Sequence, residues 1–224
     1  MKCSVRFGDK DSYKDYGLVA TSKLVVNPPS PIFEFLEVPG KNGQIDMSDV
    51  LTGEITYSNR VGDFDFVVTK GNFEETYLRV LNELHGRKMM IVLSEDPTFY
   101  YEGRISINNV KTDKNYNYIS ISYNLQPFKF YFSEEGLLEE SISVVATGMD
   151  KTVVIKGESK NVIVPTIDVT EIGETGFGVR FDGVSFPLSK GINRFVDIRL
   201  QGSNANLVFY GKGRANIRYR RGII

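Results

Sequence analysis

Few side chains in this chain could do chemistry, and their spacing is poor for it. His85 is the only histidine and Cys3 the only cysteine. A nucleophile–base pair needs a Ser or Cys held beside the histidine. Nothing in the sequence fixes one beside His85, which falls at the end of a helical pattern where a polar cap is common. Asp46, Asp49 and Glu54 lie in a glycine-rich block. A calcium loop needs several oxygen ligands at tight alternate spacing around a glycine, and this spacing does not match. Asp46 with Ser48 or Asp49 fits turn capping better. Glu134, Glu135, Glu139 and Glu140 could act as paired carboxylates only across a cleft; as a cluster near a linker they read as a solvated charge run. Lys212, Arg214, Arg218, Arg220 and Arg221 form a basic end that could bind phosphate, but strand alternation puts Arg218 and Arg220 on one exposed face. The aromatic runs Phe99-Tyr100-Tyr101 and Phe128-Lys129-Phe130-Tyr131-Phe132 could stack on sugars, yet such runs are more often core or interface anchors. No metal, cofactor or catalytic constellation emerges, and the chain reads as a non-enzyme.

The elements that must position these residues are mostly strands. Leu18–Val26 reads as a strand ended by Asn27-Pro28-Pro29-Ser30-Pro31, since proline cannot donate to a ladder. Phe33–Val38, Glu54–Tyr57 and Phe64–Thr69 read as further strands. One helix stands out. Asn72 is its N-cap and Glu75 can close a capping box. Phe73, Tyr77, Val80, Leu81 and Leu84 form one apolar stripe, and Gly86 stops the helix. The stripe predicts packing against a sheet. Met89–Leu93, Phe99–Ile107 and the alternating Asn115–Leu125 follow as strands, and Gln126–Phe132 closes this half.

The acidic Ser133-Glu134-Glu135-Gly136 marks the expected boundary between a domain over 1–132 and one over 133–224. Beyond it short strands alternate with glycine turns: Val162–Val164, Ile167–Val169, Gly178–Phe181, Val184–Phe186, Arg194–Ile198, Asn206–Tyr210 and Ala215–Tyr219. Asp182-Gly183 is a hairpin turn signal. Many short strands at such spacing read as a β-sandwich.

Composition excludes several function classes. The chain has 224 residues, 41% hydrophobic and 25% charged, with 27 basic against 28 acidic side chains. That balance gives no bulk attraction to nucleic acid or to an anionic membrane. No apolar run approaches the roughly 20 residues that span a bilayer. A lone cysteine makes no internal disulfide. Met1–Asp9 lacks an apolar signal core, so synthesis in the cytoplasm is expected.

Three blocks, in order and spacing, carry a resemblance. The first runs from Val38-Pro39-Gly40-Lys41-Asn42-Gly43-Gln44-Ile45-Asp46 through Leu51-Thr52-Gly53 to Tyr57-Ser58-Asn59-Arg60 and Phe64-Asp65-Phe66. The second is Leu81-Asn82-Glu83-Leu84-His85-Gly86-Arg87-Lys88 with Asp96-Pro97-Thr98-Phe99-Tyr100-Tyr101-Glu102-Gly103-Arg104. The third is Gly211–Gly222. Over nearly the whole chain the sequence resembles the distal tail proteins of siphophages. The resemblance implies a mainly β fold: a β-sandwich-like N-terminal domain with one α-helix and a protruding arm, then a C-terminal sandwich like galectins and carbohydrate-binding modules.

The resemblance also implies a homo-hexameric ring at the distal end of a phage tail, a hub of the baseplate type between the tube and the host-adsorption apparatus. Its partners would be further copies of itself, the tail tube protein, a tail-tip or tail-associated lysin protein and a receptor-binding protein. Its location would be the virion tail tip. The candidate inter-subunit arm comprises Gly40, Lys41, Asn42, Gly43, Asp46, Leu51, Tyr57, Asn59 and Arg60; the alternative is a plain surface loop followed by a strand. A ring needs two different complementary patches per subunit, and an arm reaching a neighbour supplies one. The competing reading of the whole chain is a carbohydrate-binding module that attaches a virion or wall enzyme to host glycan. The absence of tryptophan, a favoured sugar platform, weighs against it.

Overall fold

The computed structural model describes residues 3–50, 53–112, 116–133, 136–137, 139–157, 162–202 and 204–224. The chain is mainly β with one helix, and it divides into two compact units, Met1–Lys129 and Phe130–Ile224.

The first unit is built on β1 (Val5–Phe7), β2 (Lys10–Asp11), β3 (Leu18–Ala20), β4 (Phe35–Glu37), β5 (Gln44–Asp46), β6 (Arg60–Val68), α1 (Phe73–Leu84), β7 (Lys88–Leu93), β8 (Phe99–Thr112) and β9 (Asn117–Leu125). Seven strands form an antiparallel sheet in the order β2-β1-β7-β8-β9-β6-β3. The period-2 alternation of Phe64-Asp65-Phe66 and Ile119-Ser120-Ile121 sends every second side chain into one core. Phe7, Phe64, Phe66, Ile91, Ile105, Ile119, Ile121 and Leu125 are buried there. Helix α1 closes over this core with Val80 and Leu84, flanked by half-buried Phe73 and Tyr77. The amphipathic stripe thus packs against the sheet as its spacing predicts. Gly86 ends the helix at φ 74° and donates its N–H to the Ile105 carbonyl at 2.9 Å.

Several details differ from the sequence reading. The expected strand Leu18–Val26 stops at Ala20; Leu24 and Val26 remain buried in the core without a ladder partner. Glu54–Tyr57 is no strand: Tyr57 makes one isolated bridge to Pro31. Apolar side chains there anchor loops, which periodicity alone cannot separate from strands. Asn72 caps α1 by accepting the Glu74 N–H at 2.8 Å, but Glu75 does not close the capping box. Thr76 is buried beneath the first turn.

The second unit carries β10 (Lys129–Ser133), β11 (Gly136–Leu137), β12 (Glu140–Thr147), β13 (Lys151–Lys156), β14 (Thr166–Phe181), β15 (Val184–Pro187), β16 (Gly191–Asn193), β17 (Asn204–Tyr219) and β18 (Gly222–Ile223). Its frame is the long antiparallel pair β14–β17. The second half of β17 pairs with β12 and its first half with β13. β15 and β16 add to β14. The register of β14 against β17 shifts between Ile172 and Phe177, where Gly176 and Gly211 have φ of 76° and 80°. A Cβ on Gly211 would run into the Gly176 carbonyl, so the bend demands glycine. Both halves feed one core that includes Ile155, Ile167, Val179, Leu207, Phe209 and Ile217. The rings of Phe177 and Phe209 stack at 5.7 Å across the bend.

Here the sequence reading split two long strands into pieces. Ile167–Val169 and Gly178–Phe181 are both β14; Asn206–Tyr210 and Ala215–Tyr219 are both β17. The intervening glycines mark a bulge and a bend rather than turns. Arg194–Ile198 is a turn, not a strand, and Val162–Val164 contributes only the bridge Ile163–Leu200. Asp182-Gly183 is the hairpin turn between β14 and β15, with φ of 48° and 79°.

Candidate assembly surface

Between β3 and β6 the chain leaves the body of the first unit as a narrow ribbon. Its root is a clamp of main-chain bonds. Ile32 donates to the Thr56 carbonyl and Ser58 to the Ser30 carbonyl, both at 2.9 Å. Proline at 28, 29 and 31 stiffens the outgoing strand without offering donors. Further out, Ser48 Oγ accepts the Glu34 N–H at 2.9 Å and the Met47 N–H reaches the Glu34 carbonyl at 2.8 Å. The hairpin β4–β5 follows, with Phe35 opposite Asp46, Leu36 opposite Ile45 and Glu37 opposite Gln44. At its tip Lys41 donates to the Val38 carbonyl at 3.1 Å, and Gly40 and Gly43 both take φ of 79°. Those two positions need glycine for their backbone, not for space, since nothing lies within 4 Å of either Cβ position.

The ribbon buries almost nothing. Every residue from 31 to 44 is exposed. Phe33 is 56% exposed, Phe35 55%, Leu36 50% and Ile32 42%, with Val38 and Val50 likewise open. Phe33 and Phe35 face each other at 6.2 Å. Two strands with no sheet or helix behind them cannot build a core. An exposed apolar cluster of this kind makes the ribbon a candidate contact surface.

Asp46 sits at the inner end of β5. Its Oδ1 accepts the Ser48 N–H at 3.0 Å and the Ser48 hydroxyl at 2.5 Å. Both bonds favour the ionised form and hold its carboxyl below the usual carboxylate range. It is a turn cap, not a ligand for a metal. Among the described residues no group of three His, Cys, Asp or Glu side chains could hold an ion.

The nine residues predicted as an arm therefore separate. Gly40, Lys41, Asn42 and Gly43 form the tip and Asp46 belongs to β5. Leu51 lies outside the described residues. Tyr57, Asn59 and Arg60 return to the body. The Tyr57 ring meets the edge of Phe128 at 6.3 Å, and the Asn59 side-chain amide donates to Asn124 Oδ1 at 2.7 Å. Arg60 is only 4% exposed. It donates to the carbonyls of Pro127 at 2.8 Å and Asn27 at 2.9 Å, with its guanidinium 5.5 Å from the centre of the Tyr101 ring. Burial pulls its pKa down. Arg60 thus ties Asn27, which precedes the proline run, to the loop that follows β9. Phe33, Phe35 and Leu36 are the ribbon's most apolar feature, and the sequence reading took them only as part of a strand over Phe33–Val38, not as part of the arm. An apolar run caught between a proline cluster and a glycine block was the signal.

Several of the remaining candidates have structural partners. His85 Nδ1 accepts the Ile107 N–H at 3.0 Å. Tyr100 and Tyr101 are buried in the first unit. Glu134 and Glu135 lie outside the described residues. Glu140 departs from the expected solvated charge run: it sits on β12, accepts the Tyr219 hydroxyl at 2.6 Å and pairs with Arg221. Across the outer face of the long pair, Arg214 meets Glu171 at 3.3 Å and Arg218 meets Asp168 at 3.4 Å. These carboxylates neutralise the face that a phosphate backbone would need bare. Arg220 and Arg221 lie 4.9 Å from the ring centres of Phe130 and Tyr131.

No family model matches the chain, and no curated protein sequence matches it. Among solved structures, SPP1 Dit (gp 19.1) matches over 100% of both chains with a TM-score of 0.67. The chain has the Dit fold. SPP1 Dit is described as a paradigm of the hub adsorption apparatus in phages that infect Gram-positive bacteria. Sequence identity to it is 14%, so what the two share is the Dit architecture, and the roles of single side chains rest on the contacts above.

Proposed function

We propose that this protein is a structural subunit of a phage tail hub. Copies of it associate head to tail into a ring, six to a turn, and the ring joins the tail tube to the tail-tip apparatus that adsorbs to the host. The observation that carries this reading is the apolar ribbon 31–44, whose side chains are exposed and join neither buried core among the described residues. A ring requires a heterologous contact, and a projecting ribbon seated on the body of the next copy is one. The Dit fold over the full length supports the hub assignment. The tube protein, a tail-associated lysin and a receptor-binding protein are the proposed outer partners, and the virion tail tip the proposed location. The basic face of the second unit carries its own acids, which favours a wall facing solvent or protein over a nucleic-acid grip. Sedimentation of the full chain with and without Phe33→Ser and Phe35→Ser tests the reading. Assembly by the parent and monomers from the variant support it; monomeric parent protein at all concentrations overturns it.

A further inference from the structure

A head-to-tail ring contact needs two different surfaces on each subunit. In the proposed ring the ribbon is one of them, and its chemistry says what the other must offer. Along 31–46 the exposed Phe33, Phe35 and Leu36 are interspersed with Glu34, Glu37 and Asp46, against a single base, Lys41. Among the described residues neither Glu34 nor Glu37 has a cationic partner; Glu37 accepts only the Gln44 amide. The seat must therefore be apolar and cationic. Single exposed aliphatic side chains are ordinary on any protein, and four of them here sit beside carboxylates that would repel the ribbon. Val61 neighbours Asp63, Leu78 lies one helical turn from Glu74, Ile172 follows Glu171, and Val184 follows the Asp182 turn.

One strip of the second unit has the opposite character. From Lys190 to Val196 the chain alternates: Lys190, Ile192, Arg194 and Val196 are exposed, while Gly191, Asn193 and Phe195 are half-buried. Ile192 is 72% exposed and Val196 73%. Lys190 and Arg194 pair with no carboxylate among the described residues. Asp168, opposite Ile192 on β14, is engaged by Arg218 at 3.4 Å; Asp197 borders the strip at its far end. The backing is firm. β16 is held by β14, the Asn193 side-chain amide donates to the carbonyls of Ser189 at 2.7 Å and Gly191 at 2.9 Å, and the Phe195 ring packs on Phe186 at 5.1 Å.

We propose that this strip, Lys190 to Val196, is the seat on which the ribbon of a second copy docks. This placement rests on the proposed ring and supplies its second surface. Ile192 and Val196 cover Phe33 and Phe35, while Lys190 and Arg194 face Glu34 and Glu37. In extended chain the two cations lie ~13 Å apart and the two acids ~10 Å apart, a difference that the long Lys and Arg stems absorb. β16 is an edge strand, the kind of element to which an extended segment adds. The charges also select the partner. Ribbon against ribbon sets acid on acid and strip against strip sets base on base, so only ribbon on strip is favoured. That contact is heterologous, as a ring requires. The nearest rival seat is β13, where Lys151 and Lys156 flank Val154; it presents one half-exposed aliphatic where the strip presents two that are largely open.

The test is charge reversal in the full chain, read by sedimentation velocity. Lys190→Glu with Arg194→Glu should weaken association at least about tenfold by setting like charges together. Glu34→Lys with Glu37→Lys should do the same. All four side chains are exposed, so both variants should melt as the parent does. Mixing the two variants should restore assembly, with both chains in each oligomer, because each ribbon then meets a strip of opposite sign; a folding defect gives no such rescue. Assembly unchanged by the strip reversal, while Phe33→Ser with Phe35→Ser dissociates it, would overturn this seat and leave the ring standing. Loss of assembly without rescue on mixing would give the strip to a different occupant and overturn the proposal. Rescue of the ribbon reversal by Lys151→Glu with Lys156→Glu instead would move the seat to β13 and overturn it too. A parent chain that stays monomeric at all concentrations would remove the ring itself, and this seat with it.

Discussion

Phe33→Ser with Phe35→Ser separates an assembly role from a folding role. Both rings belong to neither buried core and are a little over half exposed. Burying them on a neighbour would remove roughly 100 Å² of apolar surface per ring, half of what such a side chain exposes when free. At about 25 cal/mol per Å² that is ~2.5 kcal/mol per ring and ~5 kcal/mol for the pair. Imperfect packing lowers the yield, so about 3 kcal/mol per contact is the working figure, or roughly a hundredfold in association. The two substitutions remove no contact from either core, and monomer stability should change by less than about 0.5 kcal/mol. Sedimentation velocity across a concentration series reads the first quantity, and thermal unfolding of the monomer reads the second. An assembly unchanged by the double substitution, or a melting temperature several degrees lower, would refute the reasoning.

Arg60 gives the reverse pattern. Arg60→Ala strands the carbonyls of Asn27 and Pro127 and should cost about 3 kcal/mol of stability, seen in urea unfolding. In the second unit, a Cβ at Gly178 would run into the Tyr210 ring. Gly178→Ala should therefore lower stability by about 2 kcal/mol, and Tyr210→Ala in the same chain should recover part of it. Burial first, and then the hydrogen bond to Glu140, push the Tyr219 phenol up from 10.0 to about 12. The folded state holds this proton where the unfolded chain has lost it, so stability is full below pH 10 and falls as pH rises from 10 to 12. Tyr219→Phe should flatten that fall in pH-dependent unfolding.

The legible part of the sequence was whatever a single period could encode. The stripe Phe73, Tyr77, Val80, Leu81 and Leu84 specified α1, although Leu81 stays at the edge of the core, and Asn72 and Gly86 bounded it nearly to the residue. Alternation in Phe64–Val68 and Asn117–Leu125 specified the central strands. Glycines defeated the same logic in β14 and β17, because Gly173, Gly176 and Gly211 bend a strand pair whose continuity lies in its pairing, a non-local property. β12 and β13 were missed because their pairing with β17 joins residues far apart in sequence. The ribbon tip at Gly40 and Gly43 was legible from turn chemistry. That Arg60 turns back into the body was not, because its acceptors at Asn27 and Pro127 come from distant loops.

The central claim is that copies of this chain close into a ring through the ribbon 31–44. Native mass spectrometry of the full-length protein tests it most directly. The account predicts one discrete species at six times the chain mass of 25.3 kDa, dissociating to monomers when Phe33 and Phe35 are replaced by serine. A monomer or an open-ended series of masses from the parent chain, or an intact oligomer from the double variant, would contradict it.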